Sequence, residues 1–284
     1  MKEFTLLSPA KINLNLYVTG ARADGFHNIK STVQPIGIFD EVGIRVSEEP
    51  GGIVLTGCEG APEKNTAFAA ANLFLQKAEI KRGVEISLKK NIPQGAGLGG
   101  GSGNAAAVLV GLNRVFCAFN GKTLREIAGM VGSDVPLFID CEACVISGRG
   151  EKVEPIKGFP LLSYVVCFPG FESLTADVYR KWDELNPSGQ PCEDPKKMWG
   201  VSHPVEMTNG LEEAAFSLYP ELARFCALIS ADYDIPFLMT GSGSAFFSVF
   251  EDWETAREVF ERMRKDADFD CFLARGIEGW DGAE

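Results

Sequence analysis

Residues 91–109 read NIPQGAGLGGGSGNAAAVL. Six glycines fall between Gly95 and Gly103, and a run of alanine, valine and leucine follows at once. Glycine loses more freedom on ordering than any other residue. So dense a cluster before a good helix former needs a purpose that packing does not supply. Repeated glycines let backbone N–H groups converge with no side chain in the way. The helix behind them adds its unpaired N–H groups and the positive end of its dipole, and together these form an anion site. The dipole contributes only about 0.3–2 kcal/mol, so directed N–H bonds must do most of the holding. Phosphate is the commonest large anion a cell offers such a site. Ser102 can add a hydroxyl, and Asn104 is expected to cap a helix running to about Phe119.

Three known phosphate loops compete for this stretch. A P-loop needs Lys and Ser or Thr after its last glycine, whereas Gly103 and Asn104 follow Ser102 and no lysine appears before Lys122. Gly95, Gly97 and Gly100 satisfy GxGxxG, but a dinucleotide site wants an acidic residue at the end of a second strand. The nearest candidate, Glu126, sits in the helical LREIAGMV. A protein-kinase reading lacks the HRD and DFG motifs.

Outside the loop, 284 residues with 45% apolar and 23% charged residues describe an ordinary globular chain. The net charge of -12 and a pI of about 4.8 argue against a nucleic-acid partner, which needs a basic face. No apolar run reaches membrane-spanning length. The opening MKEFTLLSPAKINLNLYV lacks the pattern of a signal peptide, so a cytoplasmic protein with reduced thiols is expected. Cys141 and Cys144 form a lone CxxC in DCEACVISG, which reads as a turn and a strand and therefore as structural.

Strands are expected over 4–18, through STVQPIGIFDEVGIRV, and at GGIVLTG, VEISLKKNIP, PLLSYVVCFPG and CFLARGIEGW, with a hairpin over ACVISGRGEKVEPI. Helices are expected after Asn65, after the glycine loop, over 124–131, over LTADVYRKWDEL, at 211–218 and 220–230, and over WETAREVFERMRKDA. NPSGQPCEDPKKMWG reads as a loop, and PFLMTGSGSAFFSVF as strand, glycine turn, strand. Strands and helices mix without strict alternation, which favours α+β over a doubly wound sheet. The texture changes near residue 156, so two halves are expected, 1–155 and 156–284.

Two side chains turn a phosphate loop into a reaction. Lys11 interrupts an apolar strand pattern; it reads either as a strand-edge lysine reaching water or as a buried functional cation. Asp134, in GSDVPLF, reads either as a turn aspartate or as a base. Together they would supply a carboxylate to take a hydroxyl proton, worth about 10²–10⁴ in rate, and a cation to hold developing charge.

PAKINLNLYVTGARADGFH, PQGAGLGGGSGNAAA and TGSGSAFF, in this order, resemble the three motifs of the GHMP small-molecule kinases. The resemblance spans nearly the whole chain and is strongest over 8–28 and 91–140. It implies an N-terminal half similar to the second domain of ribosomal protein S5, a ferredoxin-like C-terminal half, and an active site between them. ATP would lie on Pro93, Gly95, Ala96, Gly97, Leu98, Gly99, Gly100, Gly101, Ser102 and Asn104, accompanied by Mg²⁺ as is usual in ATP chemistry. Lys11 and Asp134 would carry catalysis, with Asn13 beside Lys11.

PAKINL followed by RADGFH is similar to the branch of the family that phosphorylates a cytidine diphosphate-linked methylerythritol. That implies Phe26 stacking on the cytosine, His27 bonding its edge, Tyr179 on the opposing face, and Gly241, Ser242 and Gly243 closing the cleft. A small-molecule substrate is implied; no nucleic acid, no membrane, and a monomer or weak homodimer are the accompanying expectations. Read without the motifs, Phe26 is ordinary packing, His27 a surface residue and Gly241 to Gly243 a hairpin turn. Members of the family usually carry two serines after the glycines, where this chain has Ser102-Gly103-Asn104. One hydroxyl near the phosphates is therefore expected to be missing. Three rivals stand beside this reading: another GHMP kinase acting on mevalonate, homoserine or a sugar; an ATP-binding sensor of the same fold; and a dinucleotide oxidoreductase.

Overall fold

The computed structural model describes residues 2–187, 207–266 and 268–280. The loop read at 186–200 lies outside them from residue 188 on, as do Cys192 and His203. The mixed α+β architecture is as expected. Its first sheet holds β1 (Lys2–Asn13), β2 (Tyr17–Ala21), β3 (His27–Pro50), β4 (Ile53–Thr56), β5 (Arg82–Lys89), β6 (Cys144–Gly148) and β7 (Lys152–Pro155). The main path is β4-β5-β3-β6-β7, and β1 and β2 also pair with β3. The 24-residue β3 is the spine. It pairs with β2 and β6 near its start, then with β1, then with β5.

Helices α1 (Thr66–Lys77), α2 (Gly100–Phe116), α3 (Gly121–Val131) and α4 (Leu137–Asp140) belong to this half. Asn65 caps α1 by accepting from the Ala67 N–H at 2.9 Å, a bond worth about 0.5–2 kcal/mol. Small residues let α1 and α2 approach closely: Ala67, Ala70 and Ala71 on one, Ala105, Ala106 and Ala107 on the other, all fully buried in one cluster with Phe74, Ile44 and Ile86.

The second sheet runs β11-β8-β10-β9, all antiparallel. It is built from β8 (Ser163–Phe168), β9 (Leu238–Met239), β10 (Phe246–Phe250) and β11 (Asp270–Arg275). Helices α5 (Thr175–Leu185), α6 (Glu212–Leu218), α7 (Pro220–Tyr233) and α8 (Trp253–Asp266) accompany it. Successive strand residues point to opposite faces, and every residue of β8 is buried. Val165 and Cys167 pack on the helices. Tyr164, Val166 and Phe168 join Ala10, Ile12, Leu14, Ile36, Ala96 and Leu98 of the first half in a shared cluster. The chain then returns to the first half, where the Trp280 indole N–H donates to the Phe138 carbonyl at 2.9 Å.

Candidate active site

β1 brings the first functional side chain to the glycine loop. Its register against β3 slips between Pro9 and Ala10, where a proline can give no ladder N–H. Just beyond, the Lys11 N–H donates to the Leu98 carbonyl at 2.9 Å. Strand and glycine loop are thus joined through backbone. Lys11 is no exposed strand-edge lysine; it is buried, 4% exposed. Its ammonium donates to Asn13 Oδ1, and Asn13 in turn donates to Ser31 Oγ at 2.7 Å. Burial pulls the Lys11 pKa below the ordinary lysine value, and the charge of Asp134 opposes that pull. Asp134 is half-buried in the turn before α4, beside Gly150 in the β6–β7 hairpin.

The loop itself is clamped from the other side. The Ser173 N–H donates to the Gly95 carbonyl and the Ala245 N–H to the Ala96 carbonyl, both at 3.0 Å. At its start, fully buried Asp40 accepts from the N–H groups of Asn91 at 2.7 Å and Ile92 at 2.8 Å and pairs with Lys90. Asp40 and Lys90 had no motif to announce them; an acid within a strand of alternating burial was the available signal.

α2 starts at Gly100, four residues before the expected cap. Gly99 takes the left-handed conformation at φ +74° and opens the helix with no side-chain bond. The first intrahelical donor is the Gly103 N–H, to Gly99 O at 2.9 Å. The N–H groups at 100–102 precede that bond and belong to residues lining the cleft. Asn104 is therefore no cap. It sits inside α2, buried, lining the cleft, and its Oδ1 has no partner among the described residues.

Gly103 also departs from expectation. A Cβ there would lie 2.7 Å from both the Pro9 carbonyl oxygen and Ser8 Oγ. The position faces β1 and does not line the cleft, so a serine here would not put its hydroxyl there. Gly103→Ser is expected to lower the thermal midpoint, at a cost of about 1–3 kcal/mol, and to leave nucleotide affinity no better. A calorimetric scan and a titration of Mg-ATP check both; tighter nucleotide binding would sink this reading of the helix phase.

These elements enclose a cleft of about 1120 Å³. Lys11, Asn13, Asp134, Phe26, His27, Tyr179, Gly241 and Ser242 line it together with the loop. Pro93 and the run from Gly95 to Ser102 line it too. Gly241 packs beside the Lys11 ammonium, and Ser242 Oγ bonds Thr175 Oγ1 at 2.8 Å. Gly243 faces Met239 and Ser173 instead. Phe26 is 49% exposed, with the Arg149 guanidinium 4.8 Å from its ring centre. His27 is buried, bonded through Nε2 to Asp183 at 2.8 Å and stacked on Tyr179 at 4.7 Å. Tyr179 thus lines the cleft with one ring face taken up by His27. Arg149, Asp183 and Thr175 went unread in the sequence, since their partners lie far along the chain.

Cys141 and Cys144 are buried free thiols, pushed up to about 12 chiefly by burial, which makes them inert at neutral pH. Among the described residues no group of three or more His, Cys, Asp and Glu side chains could hold a metal ion. No helix among them is long and apolar enough to cross a membrane.

A buried lysine and a carboxylate, facing a glycine-rich helix start inside an α+β fold, define a small-molecule kinase. The chain belongs to the GHMP kinases: their N terminal domain matches residues 65–145 and their C terminal domain residues 200–268. The 4-diphosphocytidyl-2-C-methyl-D-erythritol kinase of Geobacter sulfurreducens is 35% identical over 93% of this chain and 96% of its own. That of Syntrophotalea carbinolica is 34% identical over 96% of this chain and 99% of its own. A crystal structure of 4-(cytidine 5'-diphospho)-2C-methyl-D-erythritol kinase superposes with a TM-score of 0.79 at 34% identity, covering 96% of this chain and 100% of that one. The homoserine kinase of Cytophaga hutchinsonii, at 19% identity and a TM-score of 0.66 over 99% of this chain and 97% of its own, shares the fold.

Proposed function

We propose that the chain transfers the γ-phosphoryl group of ATP to the 2-hydroxyl of 4-diphosphocytidyl-2-C-methyl-D-erythritol, in non-mevalonate isoprenoid precursor biosynthesis. The observation that carries this reading is one cleft lined by the glycine loop, by Lys11, Asn13 and Asp134, and by Phe26 and His27. Relatives of that name at a third identity over nearly the full length support it. Residues 1–155 would form the ATP-binding half and 156–284 the other, in a cytoplasmic monomer or weak dimer.

Phosphoryl transfer asks a protein mainly to position groups and stabilise charge. The N–H groups of the loop and of the first turn of α2 hold phosphate oxygens. An Asp134 carboxylate oxygen takes or orients the hydroxyl proton of the acceptor. The Lys11 ammonium, fixed by Asn13, faces the charge that develops there. Phe26 offers an exposed ring face to the pyrimidine, and Gly241 and Ser242 close the cleft. Mg²⁺ accompanying the nucleotide would be held from the protein side by Ser102 and the orphaned Asn104 Oδ1, which both line the cleft. The ion would neutralise phosphate charge.

The test is ADP release from Mg-ATP with 4-diphosphocytidyl-methylerythritol, mevalonate, homoserine and galactose in parallel. Turnover with the first alone is expected; turnover with another acceptor instead would discard the pyrimidine reading. Phe26→Ala should raise KM for the acceptor and leave KM for ATP nearly unchanged, because an exposed ring contributes little to stability. An equal loss for both substrates would return Phe26 to a packing role.

A further inference from the structure

His27 opens β3, and three residues of α5 grip its ring. Tyr179 lies against its face, with centroids 4.7 Å apart and planes at 23°. Trp182 meets it edge-on at 5.5 Å and 82°. Asp183 Oδ1 is 2.8 Å from Nε2. These three sit at spacings of three and four along one helix face, so ring plane and rotation are fixed together. Among the described residues Nδ1 takes no hydrogen-bond partner, and His27 lines the cleft.

We propose that Asp183 is a positioning residue that sets which pyrimidine the cleft accepts. It holds the neutral imidazole with its proton on Nε2, and so presents Nδ1 as an acceptor to an amino pyrimidine. This rests on the proposal that a pyrimidine nucleotide lies at His27. A carboxylate can only accept, so Nε2 must donate, and the second nitrogen of a neutral imidazole is then a bare acceptor. The exocyclic amine of cytosine is a donor; the matching oxygen of uracil is an acceptor. Against a fixed acceptor, the amine forms a bond, while the oxygen leaves two lone pairs facing each other. Rejection through an unpaired polar group is the strong form of discrimination. The Asp183 side chain is 49% exposed and His27 only 8%. The carboxylate therefore stays hydrated while it orders a buried ring.

The chain has two histidines, which makes the tautomer directly readable. In the full chain with ¹⁵N-labelled histidine, above the histidine titration range and with His203→Gln for assignment, His27 should carry its proton on Nε2. Affinities for cytidine 5′-diphosphate and uridine 5′-diphosphate are then compared, with the glycine loop saturated by Mg-ADP. The unsubstituted chain should favour the cytidine nucleotide about tenfold or more, and Asp183→Asn should lower that ratio about tenfold. The variant amide can offer either a donor or an acceptor to Nε2, so it no longer dictates the tautomer. Mg-ADP affinity should not change. A proton found on Nδ1, or a ratio unmoved by Asp183→Asn while the cytidine nucleotide still binds, overturns the proposal alone. No binding of the cytidine nucleotide to the unsubstituted chain overturns the pyrimidine reading and the proposal with it.

Discussion

Asp134→Asn is expected to lower turnover about 10²–10⁴-fold and to leave Mg-ATP affinity nearly intact. The side chain is half-buried in the turn before α4 and lines the cleft, so amide for carboxylate keeps the shape and removes the charge. The same substitution carries a second signature through Lys11. Burial lowers the pKa of that ammonium, and the Asp134 charge opposes the shift. With the charge gone, burial acts alone. The cation is lost as pH rises through its folded pKa, so this loss should come at lower pH in the variant. The pH profile of residual kcat/KM reads it directly. Retained turnover would remove Asp134 from the chemistry; an unmoved alkaline limb would remove it from the neighbourhood of Lys11.

Gly97→Ala is expected to lower kcat/KM about 10²-fold or more, the penalty of displacing a reacting group by around an ångström. Gly97 has φ +76°, and a Cβ there would lie 2.3 Å from the Thr240 carbonyl oxygen and 3.0 Å from that of Gly243. Both are backbone atoms, so neither can swing aside. The loop would have to lift from the turn at 240–243, carrying with it the N–H groups proposed to hold phosphate and the Leu98 carbonyl that bonds Lys11. Both Mg-ATP affinity and the thermal midpoint should fall, as titration and a thermal scan would show. Wild-type kinetics in this variant would mean that the loop is not seated on that turn in solution.

That the glycine loop, Lys11 and Asp134 would share one cleft was legible, because a phosphate site was the one purpose that explained those residue types together. The start of α2 was not. Gly100 to Gly103 have poor helix propensity, and the helix opens on a left-handed glycine rather than on a side-chain cap. Once the start moves by four residues, the direction of every side chain follows. That is why Asn104 and Gly103 turned out to face the cleft and β1. Lys11 read ambiguously because a strand covered on both faces loses the alternation that marks burial. Tyr179, Trp182 and Asp183 showed helical spacing, but their partner His27 lies 156 residues from Asp183, beyond the reach of any local pattern. Fold class was the easier inference, since it rests on many elements, each legible alone.

The shared cluster of Ala10, Ile12, Ile36, Leu98, Tyr164, Val166 and Phe247, with the return of Trp280 to Phe138, bears on how the molecule melts. Halves that meet through small polar faces come apart independently. Here each half completes the hydrophobic interior of the other, and the glycine loop, through Ala96 and Leu98, lies within that common interior. Loss of either half strips apolar cover from its neighbour, so the two should denature as a single cooperative unit.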